Sequence, residues 1–345
     1  MNDYFCVLPF FSYEGSQQLV SNRNIYCCRL PTGTDINDVQ NSIRNKQRSP
    51  ACKICWQLED QGSDSERKIH NRTFDHYADR DLELIEQDAI VNGYSPKIIK
   101  LATSNLCNGT CVTCGPDASS AWAKLENRSM IYHTMDTSAI DLKNIIQLSF
   151  VGGEPFLEKK NFAILEELID LGNTKCFISV VTNGSITLSQ KQLNILAKFK
   201  NLNICLSIDG IGSRFEYIRW PLKWNQLEVN LNQFKKITQH VNVSCMISNL
   251  NIFHYTELVD FFKDNQLNYL CKQIIVPKYF SPGNLPMKFK QQVLENNKKY
   301  HKEVELFLRC GDQWPEKFWE EIDRQDQLKK INIKDYLPEL SATRI

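Results

Sequence analysis

The sequence predicts an α/β protein whose main domain is an open barrel of six parallel strands, each followed by a helix. From residue 97 onward, β-rich runs alternate with helical segments at intervals of roughly 30–45 residues, the pattern of βαβ units around a parallel sheet. Six units are too few for a closed eight-stranded barrel. Polar or glycine-rich motifs follow several of these strands, so we expect them to share the rim at the carboxyl ends. The predicted strands are Lys97–Thr103, Ile146–Val151, Cys176–Thr182, Asn203–Ile208, Val241–Ser248 and Cys271–Val276. The predicted helices between them include Asn161–Leu171, Gln190–Lys200, Gln226–Thr238 and His254–Asn265.

Changes of pattern along the chain divide it into four regions. Residues 1–75 read as a small, loop-rich unit with five cysteines, and residues 76–94 as a charged helical connector. Residues 95–280 hold the partial barrel, and residues 281–345 a charged helical tail. Five lysines of the tail could attract an acidic peptide, although a solvated helix face is the commoner meaning of such a pattern. These lysines are Lys288, Lys290, Lys298, Lys299 and Lys302.

The overall composition is that of an ordinary globular protein. Of the 345 residues, 42% are hydrophobic and 23% are charged, which excludes a mainly disordered or collagen-like chain. The 41 basic and 40 acidic residues leave a formal net charge of +1, which predicts no binding to nucleic acid or to an anionic membrane. No apolar run approaches the ~18 residues that span a bilayer, and no basic stretch precedes an apolar one at the N-terminus. We therefore expect a cytoplasmic location.

Cysteine is the unusual residue of this chain, with 13 in total. In a reducing compartment, clustered cysteines are more often metal ligands or catalytic groups than disulfides. Cys107, Cys111 and Cys114 form a Cys-x3-Cys-x2-Cys motif just after the first predicted barrel strand. Thiolates are soft ligands that suit zinc or iron–sulfur clusters, and a structural zinc site needs four ligands. Three thiolates therefore predict a four-iron cluster with one iron open to another ligand, or a zinc site completed by a distant cysteine.

The order of the motifs resembles the radical S-adenosylmethionine superfamily. The resemblance rests on the three-cysteine motif, on Gly-Gly-Glu-Pro at 152–155 after the second strand, and on Ser-Ile-Asp-Gly at 207–210 after the fourth. It covers most of the chain, about residues 4 to 340. One departure is Thr113, because the superfamily usually has an aromatic residue before the last cysteine. The resemblance implies a [4Fe–4S] cluster on the three cysteines, which binds S-adenosylmethionine, cleaves it reductively and starts a hydrogen abstraction from the substrate.

The same resemblance implies a set of residues that bind S-adenosylmethionine. Gly152 and Gly153 would bring the backbone close to the methionyl amine because they lack a Cβ atom, and Glu154 would accept a hydrogen bond from that amine. Asn183 would contact the ribose or the carboxylate. Arg219 would supply the cation for the carboxylate, or else form an ordinary surface ion pair.

Two residues of the fourth predicted strand should point into the barrel. Ser207 and Cys205 share one face of this strand because side chains alternate along it, and Ser207 would reach the ribose. Cys205 is a candidate hydrogen-atom donor for a redox-neutral reaction, although a buried cysteine is usually a small hydrophobic side chain. Cys245 alternates to the opposite face and is expected to pack in the core.

The N-terminal cysteines predict a second cluster. Cys6, Cys27, Cys52 and Cys55 can close a [4Fe–4S] or a zinc site, with Cys28 as the alternative to Cys27. Their order resembles the twitch auxiliary-cluster module, a half-length relative of the SPASM module. Here the module precedes the barrel, as in N-terminal twitch radical S-adenosylmethionine proteins. That family is also similar at Glu59, Gly62, Ser65–Arg67 and Tyr217–Pro221.

The resemblance specifies a mechanistic class and leaves the substrate open. It implies a peptide substrate that is oxidised, cross-linked or epimerised, with a one-electron reductant of the flavodoxin or ferredoxin type as a partner. One alternative is the dehydrogenation of a small molecule such as an aminoglycoside. Another is a non-catalytic iron–sulfur protein that carries electrons.

Overall fold

The structure is a computed structural model. The residues that it describes are 4–15, 27, 30–31, 33–62, 64–77, 82–92, 96–129, 140–274, 276–309 and 316–344. Cys28, the alternative auxiliary ligand, lies outside them. Within these ranges no helix combines the length and the apolar character that crossing a membrane requires.

A fully parallel seven-stranded sheet organises the molecule, with the strands side by side in chain order. The six predicted strands are all present within a few residues of their expected bounds, and the tail is helical, so the predicted α/β class is confirmed. The strands are β1 (Ser12–Gly15), β2 (Ile98–Ala102), β3 (Gln147–Val151), β4 (Phe177–Thr182), β5 (Leu202–Ser207), β6 (His240–Ile247) and β7 (Asn268–Gln273).

The strand β1 was not predicted, and it joins the N-terminal region to the barrel. Ser12 lies opposite Ile98 of β2, and the Lys97 N–H donates to the Phe11 carbonyl at 2.8 Å. A strand of four residues offers too little alternation to be recognised in the sequence. The N-terminal region is therefore partly a continuation of the barrel sheet.

Helices connect the strands and also build most of the described N-terminal region, which we had expected to be loop-rich. The four predicted barrel helices are all present, at Lys159–Asp170, Gln190–Leu196, Trp224–Ile237 and Tyr255–Asp264. The helices are α1 (Leu8–Phe11), α2 (Ile36–Arg44), α3 (Lys53–Asp60), α4 (Glu66–Tyr77), α5 (Leu82–Asn92), α6 (Ser120–Leu125), α7 (Lys159–Asp170), α8 (Gln190–Leu196), α9 (Ser213–Ile218), α10 (Trp224–Ile237), α11 (Tyr255–Asp264), α12 (Met287–Asn296), α13 (His301–Phe307), α14 (Glu316–Lys329) and α15 (Pro338–Ser341).

Alternation along β3 to β6 separates a buried face from a half-buried one. The buried face packs on the helices and forms the main core, where Cys245 is 0% exposed, as predicted. The opposite face is only half-buried, and we call it the lumen face. Its polar residues include Ser149, Ser179, Asn203, Cys205, Ser207, Asn242 and Ser244.

A second, smaller core holds the N-terminal region against the lumen face of β2. Ile98 belongs to this core with Phe10 and Phe11, whereas Ile99 and Leu101 on the other face of β2 belong to the main core. Ile146, just before β3, also packs against this core, so the N-terminal region is held near the start of β2 and β3.

Candidate functional site

The three core cysteines lie on the loop between β2 and α6, at the carboxyl end of β2. Gly109 lies against two of their sulfurs, because a Cβ atom there would be 3.4 Å from Cys111 Sγ and 3.9 Å from Cys107 Sγ. The Gly109 N–H donates to Cys107 Sγ at 3.4 Å. The loop thus bends tightly around its thiols, and the missing side chain at 109 keeps the space beside them open.

Two backbone carbonyls, at the last residue of α9 and just after the helix, accept hydrogen bonds from one side of this loop. The Thr110 N–H and hydroxyl donate to the Trp220 carbonyl at 2.6 and 3.0 Å, and the Val112 N–H donates to the Ile218 carbonyl at 2.7 Å. These bonds fix the loop without using any thiol. The three thiols are therefore left available as ligands.

Helix α6 holds the other side of the loop. Ser119 caps the helix and donates through Oγ to the Gly109 carbonyl at 2.7 Å. Trp122 is 0% exposed and donates through Nε1 to the Cys111 carbonyl at 2.9 Å. From the helical tail, Gln325 Nε2 donates to the Val112 carbonyl at 2.9 Å.

The two glycines after β3 are needed for packing against the segment that leads into the cysteine loop. A Cβ atom at Gly153 would lie 2.2 Å from the Leu106 carbonyl oxygen, and one at Gly152 would lie 2.8 Å from the Ser104 carbonyl oxygen. Gly152 also has φ +107°, which disfavours any other residue. These glycines bring the β3 loop into contact with the cysteine loop, so their predicted closeness to the cofactor amine stays a prediction.

Glu154 is 1% exposed, and its carboxylate joins β3 to β4. It accepts hydrogen bonds from Thr182 Oγ1 at 2.7 Å, the Asn183 N–H at 2.7 Å and the Phe156 N–H at 3.1 Å. Burial raises the pKa of this carboxyl, against the lowering effect of these donors. In this structure Glu154 therefore positions the rim loops, and a contact with the cofactor amine stays a prediction.

Asn183 extends this connection to the cysteine loop. Its Nδ2 donates to Asn108 Oδ1 at 2.9 Å, and Asn108 Nδ2 donates to Ser185 Oγ at 2.8 Å. Ser185 Oγ in turn donates to Asn183 Oδ1 at 2.6 Å. The three side chains form a closed polar triangle that ties the β4 loop to Asn108, the residue after Cys107.

Arg219 stands beside the cysteine loop and pairs with Asp209. Its Nη2 lies 2.6 Å from Asp209 Oδ2, while its buried Nε has no hydrogen-bond partner within the described residues. Asp209 Oδ1 accepts from the Met246 N–H at 2.7 Å. Arg219 also interacts electrostatically with Cys111. The guanidinium thus keeps an unused donor close to the core thiols, as expected of a group that receives an anion.

Ser207 and Cys205 both lie on the lumen face, as the alternation predicted. Ser207 is paired in register with Ser244, and Cys205 with Asn242. Burial raises the pKa of the Cys205 thiol, and the nearby Lys272 counteracts this shift. Both side chains are half-buried, so they are available to a molecule in the lumen.

A row of polar side chains crosses the lumen face beside Cys205. Asn203 Nδ2 donates to Ser179 Oγ at 3.0 Å, and Asn242 Nδ2 donates to Asn203 Oδ1 at 2.5 Å. The buried Oδ1 of Asn242 accepts no hydrogen bond within the described residues. The row therefore ends in an unused acceptor.

The four predicted auxiliary cysteines line one cavity. Its volume is about 350 Å³ including its open mouth. The lining residues are Cys6, Leu8, Pro9, Cys27, Leu30, Cys52, Cys55 and Arg67. Residues far apart in the sequence thus line the same space, and their role as cluster ligands stays a prediction.

Two side chains of α4 fix the segment that carries Cys6. Arg67 donates through Nη1 to the Phe5 carbonyl at 2.8 Å and pairs with Glu59. Asn71 bridges the same segment, because its Nδ2 donates to the Phe5 carbonyl at 2.9 Å and its Oδ1 accepts from the Val7 N–H at 2.9 Å. Arg67, which the family resemblance had singled out only as a matching residue, is thus part of the cavity wall.

Burial raises the pKa of two thiols at each site, to about 12 for Cys6 and Cys114 and to about 11 for Cys52 and Cys107. Ligation of a metal centre needs the thiolate form. Within the described ranges, no three His, Cys, Asp or Glu side chains are close enough to share one metal ion. The donor chemistry fits iron–sulfur clusters, since each site presents several soft thiol ligands with a cationic side chain nearby.

Sequence reasoning missed the residues that position these sites. Asn108, Asp209 and Gln325 act through hydrogen bonds to distant segments, and although Asn108 and Asp209 lay in recognised motifs, no local pattern predicted these bonds. The tail lysines do not form one basic face, because Lys290 is 6% exposed and Lys299 pairs with Asp260 at 2.6 Å.

No protein-family model matches the chain. An uncharacterized protein of Methanocaldococcus jannaschii is 27% identical over 128 residues, which is 35% of this chain and 41% of that protein. The chain thus matches less than half the length of this relative.

Several solved structures show a distant likeness. The structure of anSMEcpe with bound AdoMet is 21% identical with a TM-score of 0.46, covering 62% of this chain and 63% of that one. SuiB of Streptococcus suis bound to S-adenosylmethionine is 14% identical with a TM-score of 0.41, covering 79% and 63%. TYW1 with a lysine-pyruvate adduct is 11% identical with a TM-score of 0.35, covering 57% and 70%. Likenesses at this level support no statement about activity.

Proposed function

We propose that this protein is a radical S-adenosylmethionine enzyme with an auxiliary iron–sulfur cluster, acting on a peptide. The observation that carries the proposal is the three-thiol loop at the carboxyl end of β2, fixed by hydrogen bonds that leave Cys107, Cys111 and Cys114 available as ligands. Three thiolates hold a [4Fe–4S] cluster and leave one iron for the cofactor. Bound there, such a cluster would supply the electron for reductive cleavage of S-adenosylmethionine, which would start hydrogen abstraction from the substrate.

The rim residues then orient the cofactor. The Gly152–Gly153 backbone and Ser207 lie at the carboxyl ends of β3 and β5, on the same rim as the cysteine loop. Arg219 would receive the methionyl carboxylate, and its unpartnered Nε supports this role. Asn183 would meet the ribose or carboxylate, and Glu154 would keep the rim loops at their spacing.

The N-terminal cavity supports the second cluster. Cys6, Cys27, Cys52 and Cys55 would close it with four thiolates, so it would have no iron open to the cofactor. A cluster held there would accept the electron left after hydrogen abstraction, or bind the substrate. A flavodoxin or ferredoxin would be the external one-electron donor.

The lumen face supports a substrate rich in hydrogen-bonding groups. The row of Ser179, Asn203 and Asn242 ends in an unused amide oxygen, which fits an N–H donor such as a peptide amide. Cys205 lies beside this row in register with Asn242 and would donate a hydrogen atom if the reaction is redox-neutral.

The test is cofactor cleavage by anaerobically reconstituted protein with dithionite and S-adenosylmethionine. We expect 5′-deoxyadenosine, and about eight irons per chain from two four-iron clusters. Replacing Cys107, Cys111 and Cys114 together with Ala should remove all nucleoside formation and leave about four irons, because only the auxiliary site keeps its ligands. Nucleoside formation by that triple variant would refute the assignment.

A matched control is Cys176→Ala. Cys176 is 2% exposed in the main core and belongs to neither site. This variant should keep both the iron count and cofactor cleavage, so a loss there would mean that the triple variant reports general damage to the fold.

A further inference from the structure

Helix α14 brings a buried cation to the back of the cysteine loop. Lys329, the last residue of the helix, is only 7% exposed. Its Nζ donates to Gln325 Oε1 at 2.8 Å and lies 4.7 Å from the centroid of a Trp122 ring. Among the described residues, no carboxylate oxygen comes within 4.0 Å of this ammonium, so its direct contacts are a neutral amide and an aromatic ring.

Burying the Lys329 ammonium without a neighbouring anion lowers the stability of the fold. A buried charge without an ionic partner destabilises a fold by several kcal/mol, on the order of the desolvation of one ion. Burial accordingly lowers the pKa of Lys329 to about 8. Of the titratable groups whose negative form attracts this lysine, Cys111 is the strongest, ahead of Asp326 and Glu321.

Gln325 and Trp122, the two side chains in contact with Lys329, are themselves hydrogen-bonded to the cysteine loop. Gln325 donates to the carbonyl of Val112, and Trp122 donates to the carbonyl of Cys111, each at 2.9 Å. The ammonium therefore lies one layer of side chains behind the core thiols. Its position is fixed by the same contacts that fix the loop.

We propose that Lys329 is a positioning residue whose positive charge makes the core cluster easier to reduce; this inference rests on the proposed function. Three thiolates and a [4Fe–4S]²⁺ core carry a net charge of about −1, and one electron from the external reductant makes it about −2. A buried positive charge nearby stabilises the more negative state, since little solvent screens the interaction. Lys329 should therefore raise the reduction potential of the core cluster.

Arg324 on the same helix offers a matched control. Its guanidinium also lies over Trp122, at 5.8 Å, but it is paired with Glu126 and Glu321 and its side chain is 45% exposed. The charge of Arg324 is neutralised by its carboxylate partners and screened by solvent. Replacing Arg324 should therefore change the packing on Trp122 with little effect on the electrostatic potential at the cluster. A purely structural role of Lys329 would make the two residues behave alike.

The experiment is an anaerobic redox titration of the reconstituted full-length protein, followed by electron paramagnetic resonance. The core cluster is recognised as the signal that changes when S-adenosylmethionine is added. We expect Lys329→Met to move its midpoint potential to a more negative value, and Lys329→Arg and Arg324→Gln to stay near the wild-type value. An unchanged potential in Lys329→Met, or an equal shift in Arg324→Gln, would overturn the proposal.

Partial cluster loading does not obscure this result, because the resonance signal comes only from loaded protein. If Lys329→Met binds no cluster, Lys329→Gln keeps a polar contact with Gln325 and takes its place in the titration. The two levels of failure are distinct. A wild-type protein without a signal that responds to S-adenosylmethionine contradicts the proposed function, whereas a normal wild-type signal with unchanged neutral variants contradicts only the role of Lys329.

Discussion

The core loop takes its three thiols from eight consecutive residues, whereas the N-terminal cavity collects four thiols from positions 6, 27, 52 and 55. The core loop is held mostly by contacts to its own backbone groups, such as Thr110 N–H and the Cys111 carbonyl. In the N-terminal cavity, side chains such as Arg67 and Asn71 must reach across from α4. The first site takes its ligands from one short loop, while the second brings them together only through the folded N-terminal region, so cluster binding and folding should be more strongly coupled there.

The two sites also differ in how far their cationic side chains are neutralised by neighbouring groups. Arg67 is fully engaged by Glu59 and the Phe5 carbonyl, so its charge is already neutralised. At the core loop, Lys329 contacts no carboxylate within the described residues, and Arg219 keeps an unpartnered Nε beside its bond to Asp209. Uncompensated positive charge thus accompanies the site that we expect to bind both an anionic cluster and a cofactor carboxylate.

The strongest way to separate the two sites is to replace Cys52 and Cys55 together with Ala. The core loop and its rim would remain intact, so 5′-deoxyadenosine should still form, while product should be lost with its electron acceptor. The iron content should fall from about eight to about four per chain. Nucleoside, product and iron are measured on the same anaerobic preparation.

The double variant needs a check on folding, because loss of metal ligands can unfold a small module. Circular dichroism should match that of the wild type. Full product formation by a folded variant would make the auxiliary cluster purely structural. Loss of both nucleoside and product in a folded variant would mean that the N-terminal region helps to build the cofactor site.

A smaller effect is expected from the side chains that clamp the N-terminal cavity. Arg67 and Glu59 form a buried ion pair with side chains 9% and 8% exposed, so Arg67→Met should lower the free energy of unfolding by about 3–5 kcal/mol. The control is Arg48→Met. Arg48 also stacks on Trp56 but forms a solvent-exposed ion pair with Asp60, so its replacement should lower the free energy of unfolding far less.

Denaturant unfolding followed by circular dichroism measures both variants. Arg67→Met should also bind less iron at the N-terminal site and leave cofactor cleavage unchanged. Both arginines stack on Trp56. Equal destabilisation by the two substitutions would therefore mean that this stacking, and not the buried Arg67–Glu59 ion pair, stabilises the N-terminal region.

The smallest effect concerns pH, and its sign should be opposite at the two sites. Burial alone would raise the pKa of Glu59. Hydrogen bonds from Arg67 and Ser65 outweigh this effect and hold that pKa below its usual value. Glu59 therefore adds stability above the unfolded pKa of ~4.5, and this contribution is lost as the pH falls through the lower folded value. Burial raises the pKa of Glu154, so its contribution is present below ~4.5 and is lost as the pH rises through the higher folded value.

Unfolding free energies of Glu59→Gln and Glu154→Gln between pH 4 and 7 test this contrast. Relative to the wild type, Glu59→Gln should lose least at the acid end, and Glu154→Gln should lose least at the neutral end. The two differences should change with pH in opposite directions, because the two pKa values are shifted in opposite directions. Parallel pH profiles for the two variants would contradict the opposite environments of the two carboxyls.

The sequence by itself determined the class of the fold and the position of the core motif. Alternating strands and helices are local patterns, and a rim of strand ends follows from parallel pairing. For the same reason the lumen face of β5, with Cys205 and Ser207, could be assigned from a period of two. The three-cysteine motif was recognisable because all its ligands lie within eight residues.

Only the tertiary structure decided which distant groups meet these motifs. β1 joins the sheet through four residues, too few to carry a periodic pattern. Gly152 and Gly153 proved to be packing residues against the cysteine loop, and Lys329 lies behind Cys111 although more than two hundred residues separate them. Such contacts depend on the three-dimensional path of the chain and on the cost of burying charge, and no local spacing of residues records either of them.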